Sequence, residues 1–326
     1  MKKILGIFGL LVFVIVAAVI LNPVFLSPYN IQNLIHRTSL YTVISIGVAF
    51  VIITGGIDLS IGALIGYVGV LLPMLLVDYH WPVPLAVGAV LAISALTGLW
   101  HGLLITKLRL PPFIVTLCGL MLFRGSARLI TRDTQQGLGI GFGTLRWFAN
   151  GLIPLPGVEK FALPVTAVIA LLIAIAAAVT LNLTVYGRYL FALGRSEQAA
   201  RYSGIRTDRM TILAYVICSL LAGVGGMLFI LDINSAQPSS FGEFYELWAI
   251  AAAVLGGCSL RGGEGTILGV VIGAALLQFL RTAIAVTTGL QYIELLIIGW
   301  VLLAGVVADE LVKRYAARRT ALRRAG

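Results

Sequence analysis

The segment Thr54-Gly55-Gly56-Ile57-Asp58-Leu59-Ser60-Ile61-Gly62 places a carboxylate and a hydroxyl beside a glycine pair, between two apolar runs. Asp58 fits either of two roles. The glycines can free the backbone so that Gly55, Gly56, Asp58 and Ser60 line a polar path, because a charge at membrane depth is costly and usually faces a cavity. Alternatively, Asp58 simply caps a helix beginning at Leu59, with Ser60 in its first turn. Glu243, Glu246, Arg124, Arg128 and Arg281 fall near the expected outer ends of helices. There they would contact a polar solute or a docked protein, pair with one another, or snorkel.

Other chemistries lack their residues. Gly256-Gly257-Cys258-Ser259-Leu260-Arg261-Gly262-Gly263-Glu264-Gly265 resembles a phosphate loop, but the chain contains no Gly-Lys pair, which a Walker-type loop requires. ATP would have to bind another chain, and no cofactor is expected on this one. The glycines allow a tight turn, and Gly265, Gly269 and Gly273 repeat at four-residue spacing as a packing face. His36, His80 and His101 have no metal-ligand spacing, and nothing assembles a hydrolytic triad. Cys118, Cys218 and Cys258 sit within or at the edges of apolar segments and read as small packing residues. No enzymatic role is expected.

Tyr186 to Arg209 is a polar island with five arginines against two acids, flanked on both sides by long, mostly apolar sequence. A short helix can be read in its middle. Ser196 is a good N-cap, Glu197 lies in the first turn where the helix dipole favours an anion, and Gly204 can close the end. So short a helix is marginal alone, and must be braced by flanking helices or by a docked partner.

The elements that position these residues follow from composition. Hydrophobic residues are 60% of 326 and charged residues 11%, with a mean hydropathy of +1.03. This is an all-α polytopic membrane protein, not a soluble core. Apolar runs near the roughly 20 residues that cross hydrocarbon exclude a barrel, whose strands alternate over about 10. The runs are 1–21, 40–54, 57–77, 83–106, 112–131, 161–183, 210–231, 247–257, 265–280 and 292–307, which predicts ten transmembrane helices in one domain, 1–326. The first is expected to be retained rather than cleaved as a signal. The run 247–257 is too short to span, and it and the Gly55-Gly56 break are candidates for re-entry. Alternation from a cytoplasmic start puts 16 of the 23 Lys and Arg inside, including island 186–209 and tail 309–326, so the +10 charge sets topology and lipid contact rather than nucleic-acid binding. Loops 132–160 and 232–246 then lie outside. GGIDLSIGALIGYVGVLL (55–72) weakly echoes GGEGTILGVVIGAALLQFL (262–280), which would suit a pseudo-repeat.

Three motifs together, ITGGIDLSIG (53–62), LGRSEQAARYSGI (193–205) and ELWAIAAAVLGGCSLRGGEGTILG (246–269), resemble the permease family of bacterial ABC importers for ribose, xylose, galactose and related sugars. The likeness runs from about Asn30 to Asp309. It implies a multi-pass subunit of the bacterial inner membrane working with two ATPase subunits that bind ATP, a periplasmic sugar-binding protein and a second permease, identical or paralogous. The family's coupling loop maps onto Arg195, Ser196, Glu197, Gln198, Ala199, Ala200, Arg201, Ser203, Gly204 and Ile205. Gly55, Gly56, Asp58, Ser60 and Glu246 are the candidates for the translocation path. Trp248 stands where the family usually has Asp, and Glu264 where a basic or neutral residue is common. Both leave ribose-like pentoses, furanoses, autoinducer-2 and polyols open as solutes. An ion-coupled transporter would need midplane carboxylates in several helices, and a lipid-linked-sugar enzyme an intramembrane acid or histidine cluster.

Overall fold

The computed structural model describes residues 2–154, 156–157, 161–288, 293–300, 303 and 307. Its helices are α1 (Lys2–Leu21), α2 (Pro28–Ile53), α3 (Ile61–Pro73), α4 (Val83–Lys107), α5 (Pro112–Thr131), α6 (Gly143–Asn150), α7 (Val165–Leu183), α8 (Val185–Arg195), α9 (Glu197–Tyr202), α10 (Thr207–Ile233), α11 (Tyr245–Leu255) and α12 (Ile267–Thr288). A π turn, Met74–Asp78, continues α3. The protein is a polytopic helical bundle, with one departure from all-helix among the described residues. Strands β1 (Leu152–Pro154) and β2 (Ala162–Pro164) form a small antiparallel hairpin in the long connection before α7.

Seven described helices are long and apolar enough to cross a membrane, and the apolar stretches Gly6–Leu21 and Tyr245–Leu255 are shorter. This count, made over the described residues, does not confirm the expected ten. α11 has 11 residues, about 16 Å of rise, half of the roughly 30 Å hydrocarbon thickness. Most of the run 292–307 and the whole tail 309–326 lie outside the described residues.

α2 is longer than its apolar run. It starts twelve residues before Leu40 because Pro28 takes the first turn and the Ser27 hydroxyl accepts the Asn30 N–H at 3.4 Å. Such a start needs no hydrophobicity. From Ser39 to Ile53 every residue of α2 is buried, and α3 and α10 complete the centre. In α2, 78% of the most apolar window is buried, against 22% in α5, so α5 is peripheral. α4 seats on α10 through Gly98, where a Cβ would lie 2.6 Å from the Val216 Cα. Small residues let spanning backbones approach in this way.

The two ends of the bundle differ. At one end, Lys107, the last residue of α4, pairs with Asp208 at the start of α10 at 2.8 Å. At the other, the loops 132–160 and 232–246 are stitched together. Gln136 bridges Ala236, Asn234 Oδ1 accepts the Leu138 N–H at 2.9 Å, and His36 contacts Asp232 at 3.2 Å and Thr166 at 2.9 Å.

Candidate coupling junction and the broken helices behind it

α9 is built as the island sequence predicts. Ser196 is its N-cap in extended backbone (φ −165°), and its hydroxyl accepts the Ala199 N–H at 3.2 Å. Gly204 adopts φ +80° after the helix, a conformation that favours glycine. Six residues cannot hold a helix alone, and the brace is Arg201. Its guanidinium reaches Glu197 Oε1 at 2.9 Å, Asp208 Oδ1 at 2.7 Å and Thr207 Oγ1 at 2.8 Å. One planar fork therefore ties α9 to the first turn of α10.

Residues 195–199 and 201–204 are exposed, Ile205 is half-buried, and Ala200 is buried at 4% exposure. Of the two alanines mapped onto the coupling loop, Ala200 packs into its own chain and Ala199 is the small exposed position. Tyr202, absent from the sequence-derived set, is 83% exposed on this helix. The signal for it was available: it is the one aromatic in a short, otherwise polar helix, and exposed aromatics anchor interfaces.

Behind α9 the three sequence motifs converge. α2 ends in a Schellman arrangement: the Gly56 N–H reaches Val51 O at 3.2 Å, the Gly55 N–H reaches Ile52 O at 2.9 Å, and Gly55 has φ +85°. The last helical carbonyl, Ile53 O, accepts the Gly263 N–H at 2.9 Å. Gly194, at the end of α8, lies against that same pair, where a Cβ would run into Ile53 O and Gly263 N. A Cβ on Gly262 would lie 2.8 Å from Gly194 O and 2.9 Å from Gly55 N. The break after α2, the loop between α11 and α12 and the base of the α9 hook thus touch backbone to backbone. The two echoing segments present their glycine breaks to one another.

Asp58 lies just beyond this junction, fully buried. Its Oδ1 accepts the Ser60 N–H at 2.9 Å and the Ser60 hydroxyl at 2.6 Å. Asp58 is therefore not the N-cap it was read as: the helix begins at Ile61 rather than Leu59, Ser60 is its N-cap, and Asp58, two residues ahead, holds that cap residue instead. Only half of the carboxylate is used, since Oδ2 has no partner among the described residues. The extended stretch is pinned at Ile57 O by Tyr215 and Thr116 hydroxyls, both at 3.3 Å.

Glu246 had been expected near an outer helix end. The structure puts it beside Gly62, where a Cβ would meet its carboxylate. Gly62 is roughly 24 Å along the α3 axis from Asp78. The cause is that the segment after Pro238 descends along the glycine face of α3: Phe241 O lies 2.6 Å from a Cβ placed on Gly66, and the Phe241 ring covers Gly69. Arg124 latches this descent, donating to Phe241 O at 2.7 Å and Pro238 O at 3.3 Å. Arg128 pairs with Asp133 at 2.7 Å. Arg281 pairs with Glu294 and lies 4.7 Å over the Trp248 ring. These arginines are thus held by partners within the chain, but not by Glu243 or Glu246: Arg124 bonds backbone carbonyls, and Arg128 and Arg281 pair with acids outside the expected set. Cys218 and Cys258 are buried, as packing residues would be, while Cys118 is exposed on α5.

A helical bundle with a short hooked helix at one end and two interrupted helices behind it has the frame of a membrane transport permease. The chain belongs to the family of branched-chain amino acid transport system / permease components, whose pattern matches residues 30–306. It is 37% identical over 310 residues to the ribose import permease protein RbsC of Bacillus subtilis, covering 95% of this chain and 93% of that one. It is 35% identical to RbsC of Escherichia coli K12, covering 89% and 88%. It is 29% identical to the xylose transport system permease protein XylH of the same strain, covering 94% and 93%. No solved structure matches it. The resemblance carried by the three motifs thus holds, and the protein is a transport permease subunit rather than an enzyme.

Proposed function

We propose that the chain is the transmembrane subunit of an ATP-binding cassette importer that moves a ribose-like pentose or related sugar into the cytoplasm by alternating access. The observation that carries this is the convergence of the α9 hook with both helix breaks. A partner pressing on α9 acts through Gly194 on Ile53 and Gly263 together, and through Arg201 on α10. Closure of paired ATPase subunits would then tilt α2 and α10 and shift the starts of α3 and α12 in one movement.

The partners in this reading are two ATPase subunits docking on residues 195–205, a periplasmic sugar-binding protein on the stitched loops, and a second permease copy or paralogue. The membrane is the bacterial inner membrane, with island and tail inside. Ribose and xylose are favoured because the relatives named for them align over most of both chains. A polyol or autoinducer-2 is the alternative within the same family. The test is uptake of radiolabelled ribose and xylose by cells expressing the importer, with copurification of the ATPase on the tagged permease. A permease that purifies alone and transports neither sugar would refute it.

A further inference from the structure

Where α3 begins, behind α5, polar side chains are buried without partners. Asp58 and His101 are both 0% exposed, and neither Asp58 Oδ2 nor either ring nitrogen of His101 has a hydrogen-bond partner among the described residues. They belong to one neighbourhood. A Cβ on Gly119 of α5 would lie 2.5 Å from His101 Nε2 and 3.2 Å from Ser60 Cβ, and Asp58 is within electrostatic range of both His101 and Glu246. His101 was passed over in the sequence because no second histidine or acid stands at metal spacing; its neighbour Asp58 is 43 positions away in sequence and only the fold brings them together.

Burying one carboxylate oxygen and an imidazole unbonded costs free energy that a packing role would not retain, since an apolar side chain would fill the same space. In a membrane interior, ionisable side chains in such surroundings mark a path. What covers them is α5, whose window is 22% buried against 72% for α3. Moving α5 therefore uncovers the pair with less loss of packing than moving α3 would. The missing partners are at least one donor for Asp58 Oδ2 and, for a neutral imidazole, one donor and one acceptor. Adjacent hydroxyl groups supply both.

We propose that Asp58 and His101 together bind neighbouring hydroxyls of the translocated solute when α5 moves aside, making a diol site inside the permease. This rests on the importer reading above and names the residues that hold the solute in transit. Its chemistry selects polyhydroxylated solutes over apolar or singly substituted ones.

The test uses the complete importer in cells, radiolabelled ribose and xylose, and the variants His101→Leu and His101→Gln. Leucine removes two unpartnered buried nitrogens, so the purified complex should melt at or above the wild-type temperature. Uptake at saturating sugar should nevertheless fall roughly ten- to a hundredfold, the scale of one or two lost hydrogen bonds. Glutamine keeps a donor and an acceptor and should recover part of the rate. Wild-type uptake by His101→Leu would overturn the proposal. So would loss of uptake with lowered melting in both variants, which marks a structural role. If leucine prevents insertion, the glutamine variant decides: uptake and melting both unchanged, or both lowered, reject the site. Failure of the wild-type importer to take up either sugar counts against the transport reading instead.

Discussion

Gly194→Ala is the sharpest probe of the junction. The added methyl has no free space, because its position runs into Ile53 O and Gly263 N, themselves bonded at 2.9 Å. Relief requires separating that pair or backing α8 away. Overpacking costs about 1–3 kcal/mol, and the strained hydrogen bond about 0.5–1.5 kcal/mol. Part of this falls equally on both transport conformations and cancels. If about 2 kcal/mol remains as a difference between them, their ratio shifts roughly thirtyfold. Gly194 is only half-exposed at the base of the hook, whereas α9 itself is unaltered, so the ATPase should still copurify. Uptake should drop by about that factor, and ATP hydrolysis should lose its response to loaded binding protein. Gly125→Ala is the control: nothing lies within 4 Å of its Cβ position, and alanine suits a helix interior. Wild-type uptake by Gly194→Ala, with Gly125→Ala also normal, would refute force transmission through this contact.

Three further outcomes follow from the same geometry. Ala199→Trp, on the exposed face of α9, should abolish ATPase copurification without lowering the melting temperature, while Ala200→Trp should destabilise the permease itself because that side chain is buried; the reverse pattern would mean that the docking face is misassigned. A single cysteine at Gln198, which is exposed, should react with an impermeant thiol reagent only after the cytoplasmic side is opened, and labelling from outside intact cells would invert the topology. Asp58→Asn keeps an oxygen for the Ser60 N–H and hydroxyl but removes the charge; sugar uptake should fall at normal expression, and full uptake would leave Asp58 only the local role of holding Ser60.

Much of the fold was legible because hydrophobicity alone writes it. The run 112–131 coincides with α5, and 83–106 falls one residue short of α4. What hydrophobicity does not write was missed. The first twelve residues of α2 carry Asn30, Gln32, Asn33, His36 and Arg37, and they are helical because of a proline start and a serine cap. The descent of Phe241 to Glu246 along α3 was also invisible, since it depends on Gly62, Gly66 and Gly69 presenting a groove. The hook was readable through Ser196 and Gly204, whose capping chemistry is local. The orientation of Ala200 was not, because six residues give too little periodicity to say which face turns inward.

The junction also explains why its glycines, rather than charges, occupy the contact. In the proposed mechanism three segments far apart in sequence, 53–56, 194–195 and 261–263, exchange motion without a side chain between them. A salt bridge at this position would reorient as either partner moved, and near the membrane boundary it would be screened or desolvated to varying extents. Backbone in van der Waals contact cannot yield in that way, because close-packed atoms resist even small further approach. Gly55, Gly262 and Gly263 additionally hold positive φ, so a side chain there strains the turn as well as the contact. Substitution at Gly262 should therefore uncouple more severely than at Gly194. Arg201, by contrast, sits on the exposed side, where a flexible ionic fork to Glu197 and Asp208 fixes α9 to α10 while tolerating the small rotations of docking. Rigid contact inside and adjustable contact outside give the hook a lever's two ends.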